Sequence, residues 1–136
     1  MFELPSSIAR RIGLFGLTLA FGMAGISHFV RPEPFVAIMP PFLPAHLALV
    51  YLSGAFEIAG AVGVIPVRTR RLAGYGLIAL LFAVFPANIH MAMNADALVS
   101  QDVPLWFHYV RLPLQFVMVV WVWWATMPEP GVAAER

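Results

Sequence analysis

The run from His46 to Ile65 is apolar over the roughly 20 residues that a helix needs to cross a bilayer, and it carries one carboxylate, Glu57, near its middle. A charge at that depth is expensive. It must be paired, protonated or hydrated, and intramembrane ionisable groups mark functional sites. Three further apolar runs of similar length lie at about 8–30, 72–93 and 104–127. The chain therefore reads as all-α: an integral membrane four-helix bundle forming a single transmembrane domain over 1–136, with the second span at about 46–65.

Composition supports lipid as the main solvent. Hydrophobic residues make up 61% of the chain and charged residues 11%, where a soluble domain carries about 25% charged residues. There is no cysteine, which excludes disulfides and thiolate chemistry. Arg10 and Arg11 precede a long apolar run with no small-residue cleavage site behind it, so the first run reads as a retained span. No Gly-rich loop follows a strand pattern, no basic face carries stacking aromatics, and no serine-histidine-acid arrangement stands out, so no nucleic-acid partner is expected.

Taken in order, Ser6 or Ser7 suits a helix cap before the first span. Gly13, Gly16, Ala20 and Ala24 form a small-residue stripe for close helix approach, continued by His28. The connection from Arg31 to Pro44 holds five prolines, which prevent a continuous helix. Phe35, Val36, Ile38, Met39, Phe42 and Leu43 make it too apolar for a wet loop, so it reads as a proline-rich interfacial segment between spans one and two, capping one end of the bundle. In span two, Ser53, Glu57 and Gly60 share one face, and Ala55, Ala59 and Gly63 form a second, small-residue face.

Val67 to Arg71 reads as a tight basic turn that fixes orientation and touches anionic lipid. Pro86 should kink span three and free a carbonyl. A polar loop over Asn94 to Val103 contains Asp96, Gln101 and Asp102, and Pro104 suits the first position of span four. Arg10, Arg11, Arg68, Arg70 and Arg71 flank the spans on one side, against Arg31 alone on the other. By the positive-inside rule the topology is N-in and C-in, in an inner (cytoplasmic) membrane with both termini cytoplasmic. Trp106 and Tyr109 at one end of span four, and Trp121, Trp123 and Trp124 at the other, suit interfacial belts.

At about 1.5 Å per residue, this topology places the polar groups of all four spans in the outer half. His28 lies near the outer end of span one; Asn88 and His90 lie in the outer part of span three; His108, Arg111 and Gln115 share a face of span four; Glu57 lies deeper, with Gln115 at similar depth. An outer-leaflet cavity roofed by the proline segment and floored by Glu57 is the economical arrangement. Glu57 and Arg111 are expected to pair, directly or through water. The bland alternative is glue between helices, helped by Asn88 and Gln115. His46 and His108 read as satisfied interfacial side chains. Glu57 with His28 and His90 is a thin zinc or iron set, and Met39, Met91 and Met93 a thinner Cu(I) set, with haem between His28 and His90 weaker still. No spacing motif supports any of them, and no metal site is assigned.

The residues Gly25-Ile26-Ser27-His28-Phe29, Met39-Pro40, Tyr51-Leu52-Ser53-Gly54 with Glu57, Phe85-Pro86-Ala87-Asn88-Ile89 and Arg111-Leu112-Pro113-Leu114-Gln115 occur in an order that resembles the DoxX-like family of small four-helix membrane proteins. The resemblance covers about Arg11 to Trp124. It implies a four-helix bundle and an association with quinone-linked oxidoreductases, although family functions differ and likeness secures fold more than activity. The leading expectation is a membrane protein that binds a small apolar ligand, a quinone first, as a subunit or accessory of an oxidoreductase. Arg111, His28, Asn88 and His90 would reach the carbonyl, Ser53 and Gln115 would line the site, and Glu57 would hold it electrostatically or relay protons. One rival is an isomerase or cyclase of a lipid-like substrate, with Glu57 as acid–base and His28 or His90 as its partner. The other is a ligand-free scaffold whose small-residue stripes face other chains, a homo-oligomer included.

Overall fold

The structure, a computed structural model, describes residues 5, 7–98 and 105–128. Among these residues the regular structure is all helix, without strands: α1 Ile8–Val30, α2 Glu33–Ala37, α3 His46–Gly63, α4 Val67–Met93, α5 Ala95–Leu98 and α6 Leu105–Thr126. Three of them, α1, α3 and α4, are long and apolar enough to cross a membrane. Their outward side chains agree: Phe15 is 71% exposed and Leu72 75%, as suits a surface solvated by acyl chains rather than water.

Prolines set the ends of the elements. Pro32 stops α1, and Pro34 stands in the first turn of α2, where its missing N–H does no harm. Pro66 is the N-cap of α4. The expected basic turn is therefore not a turn, because Arg68, Arg70 and Arg71 lie in the opening turns of α4. Arg70 donates from Nε to Val64 O (2.9 Å) and from Nη2 to Ile65 O (2.9 Å), while Thr69 Oγ1 donates to Gly63 O (2.7 Å). These side chains satisfy carbonyls that the end of α3 leaves unpaired, and the cation sits at the negative end of the helix dipole.

α4 continues past Pro86 and α6 past Pro113 without interruption. The expected polar loop begins instead as α5, one short helical turn. Gln101, Asp102 and Pro104 lie outside the described residues.

α1 packs on α3 and α6, and α4 packs on the same two helices. α1 and α3 cross backbone to backbone at Gly25 and Gly54. A Cβ on Gly25 would stand 2.7 Å from Gly54 O, and one on Gly54 would stand 2.8 Å from Gly25 O. Backbones this near exclude any side chain, as expected of small residues at helix crossings in lipid. The expected stripe in α1 works differently: Gly13 and Gly16 make room for the Trp121 and Trp124 rings of α6. Trp121 Nε1 donates to Gly13 O (3.1 Å), and Arg10 donates to Met127 O (2.7 Å). Trp121, expected in an interfacial belt, is thus a tie between α1 and α6. Ala55 and Ala59 of α3 are exposed.

The core is gathered at the Pro66 end of the molecule. Leu17, Val64 and Val122 are completely buried there, with Leu14, Phe21 and Leu77 around them. Among the described residues no polar cluster interrupts it. The other end is built differently.

Candidate functional site

The 14 residues from Arg31 to Pro44 fold over the end of the helices opposite that core. Three histidines secure this roof. His90 Nδ1 bonds Ile38 O at 3.1 Å, and His46 Nε2 bonds Pro40 O at 3.1 Å. A carbonyl only accepts, so each of these ring nitrogens carries the hydrogen. The His28 ring stacks on Phe35 with centroids 3.8 Å apart. Ala45 then turns the chain into α3 through a left-handed conformation, φ 51°, the sole positive φ among the described non-glycine residues.

Beneath the roof lies a cavity of about 430 Å³, within the range of small-molecule sites. Phe35, Ile38, Met39 and Leu43 cover it. Leu52 and Phe56 of α3 line it while remaining 51% and 56% exposed, and exposed Ala83 of α4 lines it from the facing helix. The cavity therefore opens sideways between α3 and α4, toward the surface that carries the other outward apolar groups.

His28, Ser53, Glu57, Asn88 and Arg111 all line this cavity. Four helices thus deliver the polar groups expected of them: α1 His28, α3 Ser53 and Glu57, α4 Asn88, α6 Arg111. Ser53 and Glu57 share a face because they are four residues apart on a helix.

Glu57 is buried, and its Oε2 lies 3.5 Å from His28 Nδ1. That nitrogen already donates to Ala24 O at 2.8 Å, so it is near the carboxylate without bonding it. Glu57 Oε2 and Ser53 Oγ are both buried and without a hydrogen-bond partner, a rare state for buried polar atoms. The expected direct pair between Glu57 and Arg111 is not formed. Arg111 Nη1 reaches Met91 Sδ at 3.6 Å instead, a weak acceptor. The two opposite charges share one cavity and do not touch.

Two of the expected site residues lie elsewhere. His90 is no lining residue, because its ring is turned to the roof backbone at Ile38. Gln115 is buried between α6 and α4. It accepts from Asn88 Nδ2 (2.5 Å) and donates to Leu81 O. Its reach to α4 comes from its depth, and its effect on the cavity is to orient Asn88. His108 is buried in α6 near Arg111. Among the described residues no three metal-ligating side chains come together: His28 is beside Glu57, whereas His90 faces the roof.

The spacing of single residues does not reveal the roof ties at His46 and His90 or the thioether contact of Met91. His90 and Ile38 are 52 positions apart. The Gly25–Gly54 contact had a local clue, since Gly54 stands between Ser53 and Glu57 in Ser-Gly-x-x-Glu.

Residues 17–126 match the family described as a domain of unknown function (DUF8561), and the chain belongs to that family. No curated protein and no solved structure matches it.

Proposed function

We propose that this protein is a multi-pass membrane protein that takes a small apolar molecule with a polar head from the bilayer into the cavity between α3 and α4. In this reading α6 is the fourth span. The arginines at the Pro66 end, Arg68, Arg70 and Arg71 with Arg10 and Arg11, face the cytoplasm and leave the roof on the outer side of an inner membrane. The carrying observation is the laterally open, mostly apolar cavity in which Glu57 Oε2 and Ser53 Oγ lack partners and Arg111 has only a thioether. Buried polar groups without partners are costly, and a ligand head that bonds them offsets that cost.

A quinone is the first candidate, on the resemblance to the DoxX-like family, with the protein as subunit or accessory of an oxidoreductase. A ligand-free scaffold has less support, because a polar cluster that served only as glue would be closed and self-satisfied. An enzyme using Glu57 as acid–base with His28 or His90 as partner has less support too, because the His90 ring is engaged away from the carboxylate and His28 Nδ1, 3.5 Å from Glu57 Oε2, has its hydrogen on Ala24 O.

Titration of a short-tailed quinone into the detergent-solubilised protein tests the reading. Saturable binding is expected, and it should weaken at least about tenfold in Arg111→Ala, the loss typical of a charged hydrogen-bond donor. No saturable binding, or affinity unchanged in both Arg111→Ala and Glu57→Gln, rejects the site.

A further inference from the structure

We infer that the cavity selects a head group bearing a hydroxyl together with a second oxygen, a quinol-type head over the matching quinone, and that Glu57 makes the distinction. This rests on the reading that the cavity binds an apolar molecule, and it specifies what the polar end must carry.

The argument is a balance of donors and acceptors. Arg111 is a permanent cation with only N–H donors to offer. Beyond the contact to Met91 Sδ, no other hydrogen bond engages its guanidinium among the described residues. A ligand held by Arg111 must therefore present an acceptor. On α3 the need is reversed. Glu57 Oε2 and Ser53 Oγ, one turn apart, are buried without partners. The neighbouring His28 Nδ1, 3.5 Å from Glu57 Oε2, has its hydrogen on Ala24 O. Asn88 turns its amide nitrogen to Gln115. No described protein group donates to that carboxylate oxygen.

Arg111 keeps its charge, so the cavity is neutral when Glu57 is a carboxylate, and a carboxylate accepts and cannot donate. The complement of this lining is an O–H that reaches Glu57. A quinol supplies it while its other oxygen accepts from Arg111. A quinone supplies two acceptors, meets Arg111, and leaves the carboxylate bare. Sites built to bond a hydroxyl reject the analogue that lacks one far more strongly than apolar pockets reject a change of size.

The test is a pair of anaerobic calorimetric titrations of the full chain in detergent, with decyl-hydroquinone and decyl-benzoquinone as probes. The hydroquinone should bind the native protein at least about tenfold more tightly. Glu57→Gln should bring the two within about threefold, since the amide can donate to a quinone carbonyl. Arg111→Ala should weaken both forms alike. Equal affinities in the native protein, a preference for the benzoquinone, or a preference that survives in Glu57→Gln overturns the inference. Equal binding of both forms leaves the binding reading standing and sinks only the selectivity; binding of neither sinks both. The native comparison needs no variant, so a failure of Glu57→Gln to fold does not protect the inference.

Discussion

The two ends of this molecule solve the same packing problem in opposite ways. At the Pro66 end, Leu17, Val64 and Val122 meet with no exposed surface, and the polar groups there cap carbonyls or tie α1 to α6. At the roof end, large side chains withdraw to the rim and five polar residues face a cavity. Lipid gives little hydrophobic drive for helices to associate, so stability must come from tight van der Waals packing. An end that leaves space unfilled gives up that packing. The Pro66 end and the Gly25–Gly54 crossing therefore hold the helices, and the roof end is free to carry a site.

The sharpest break in this contrast is at the crossing itself. Gly54→Leu would place a Cβ 2.7 Å from His28 Cβ and 2.8 Å from Gly25 O. We expect a loss of about 3 kcal/mol or more, the upper range for overpacking, read as collapse of the thermal unfolding midpoint in detergent. A midpoint within a few degrees of the native value would mean that α1 and α3 are not held by their backbones.

Next comes Leu77→Ala in the dry core. Leu77 is 1% exposed, and its loss should cost about 2–3 kcal/mol. Phe56→Ala at the cavity rim should cost less than about 1 kcal/mol, because half of that side chain already faces outward. Parallel unfolding curves check the pair, and equal losses would erase the proposed difference between the two ends.

Gln115→Leu should follow, at about 1–2 kcal/mol, since it removes both of this side chain's bonds to α4 and leaves the Asn88 amide nitrogen without its partner. The readout separates two roles: a Gln115 that only orients Asn88 changes stability and quinone affinity together, whereas a direct ligand changes affinity alone. Ser53→Ala should show the smallest effect, within about 0.5 kcal/mol or slightly stabilising without ligand, because an unpartnered buried hydroxyl is removed. A large destabilisation would reveal a partner for Ser53 within the protein.

Much of this plan was legible in the chain. Proline positions marked the ends of α1 and α3, whereas the apolar run alone starts α4 at about 72, five residues after its true start at Val67. The apolar runs marked the long helices to within a few residues, and the polar residues that gather at one end were visible as a one-sided pattern. Less legible were Arg68 to Arg71, whose arginines resemble a charged turn until Pro66 is recognised as a cap. His90 and Glu57 read alike as lone polar groups in apolar helices, yet they differ in what they face. Helical spacing gives a residue its face and depth but not the partner that another segment brings to it.

The sequence by itself determined that the chain is helical, that apolar surface must face outward, and that His28, Asn88 and Arg111 gather in one half of the bundle with Glu57 deeper beneath them. These follow from local propensity, hydropathy and the fixed rise of a helix. Only the tertiary structure decided that Glu57 and Arg111 face one cavity without pairing, that His90 and His46 hold the roof, and that Gln115 serves Asn88. Those outcomes depend on how helices rotate and cross. Such choices are made by contacts between residues far apart in the chain, as Gly25 against Gly54 shows.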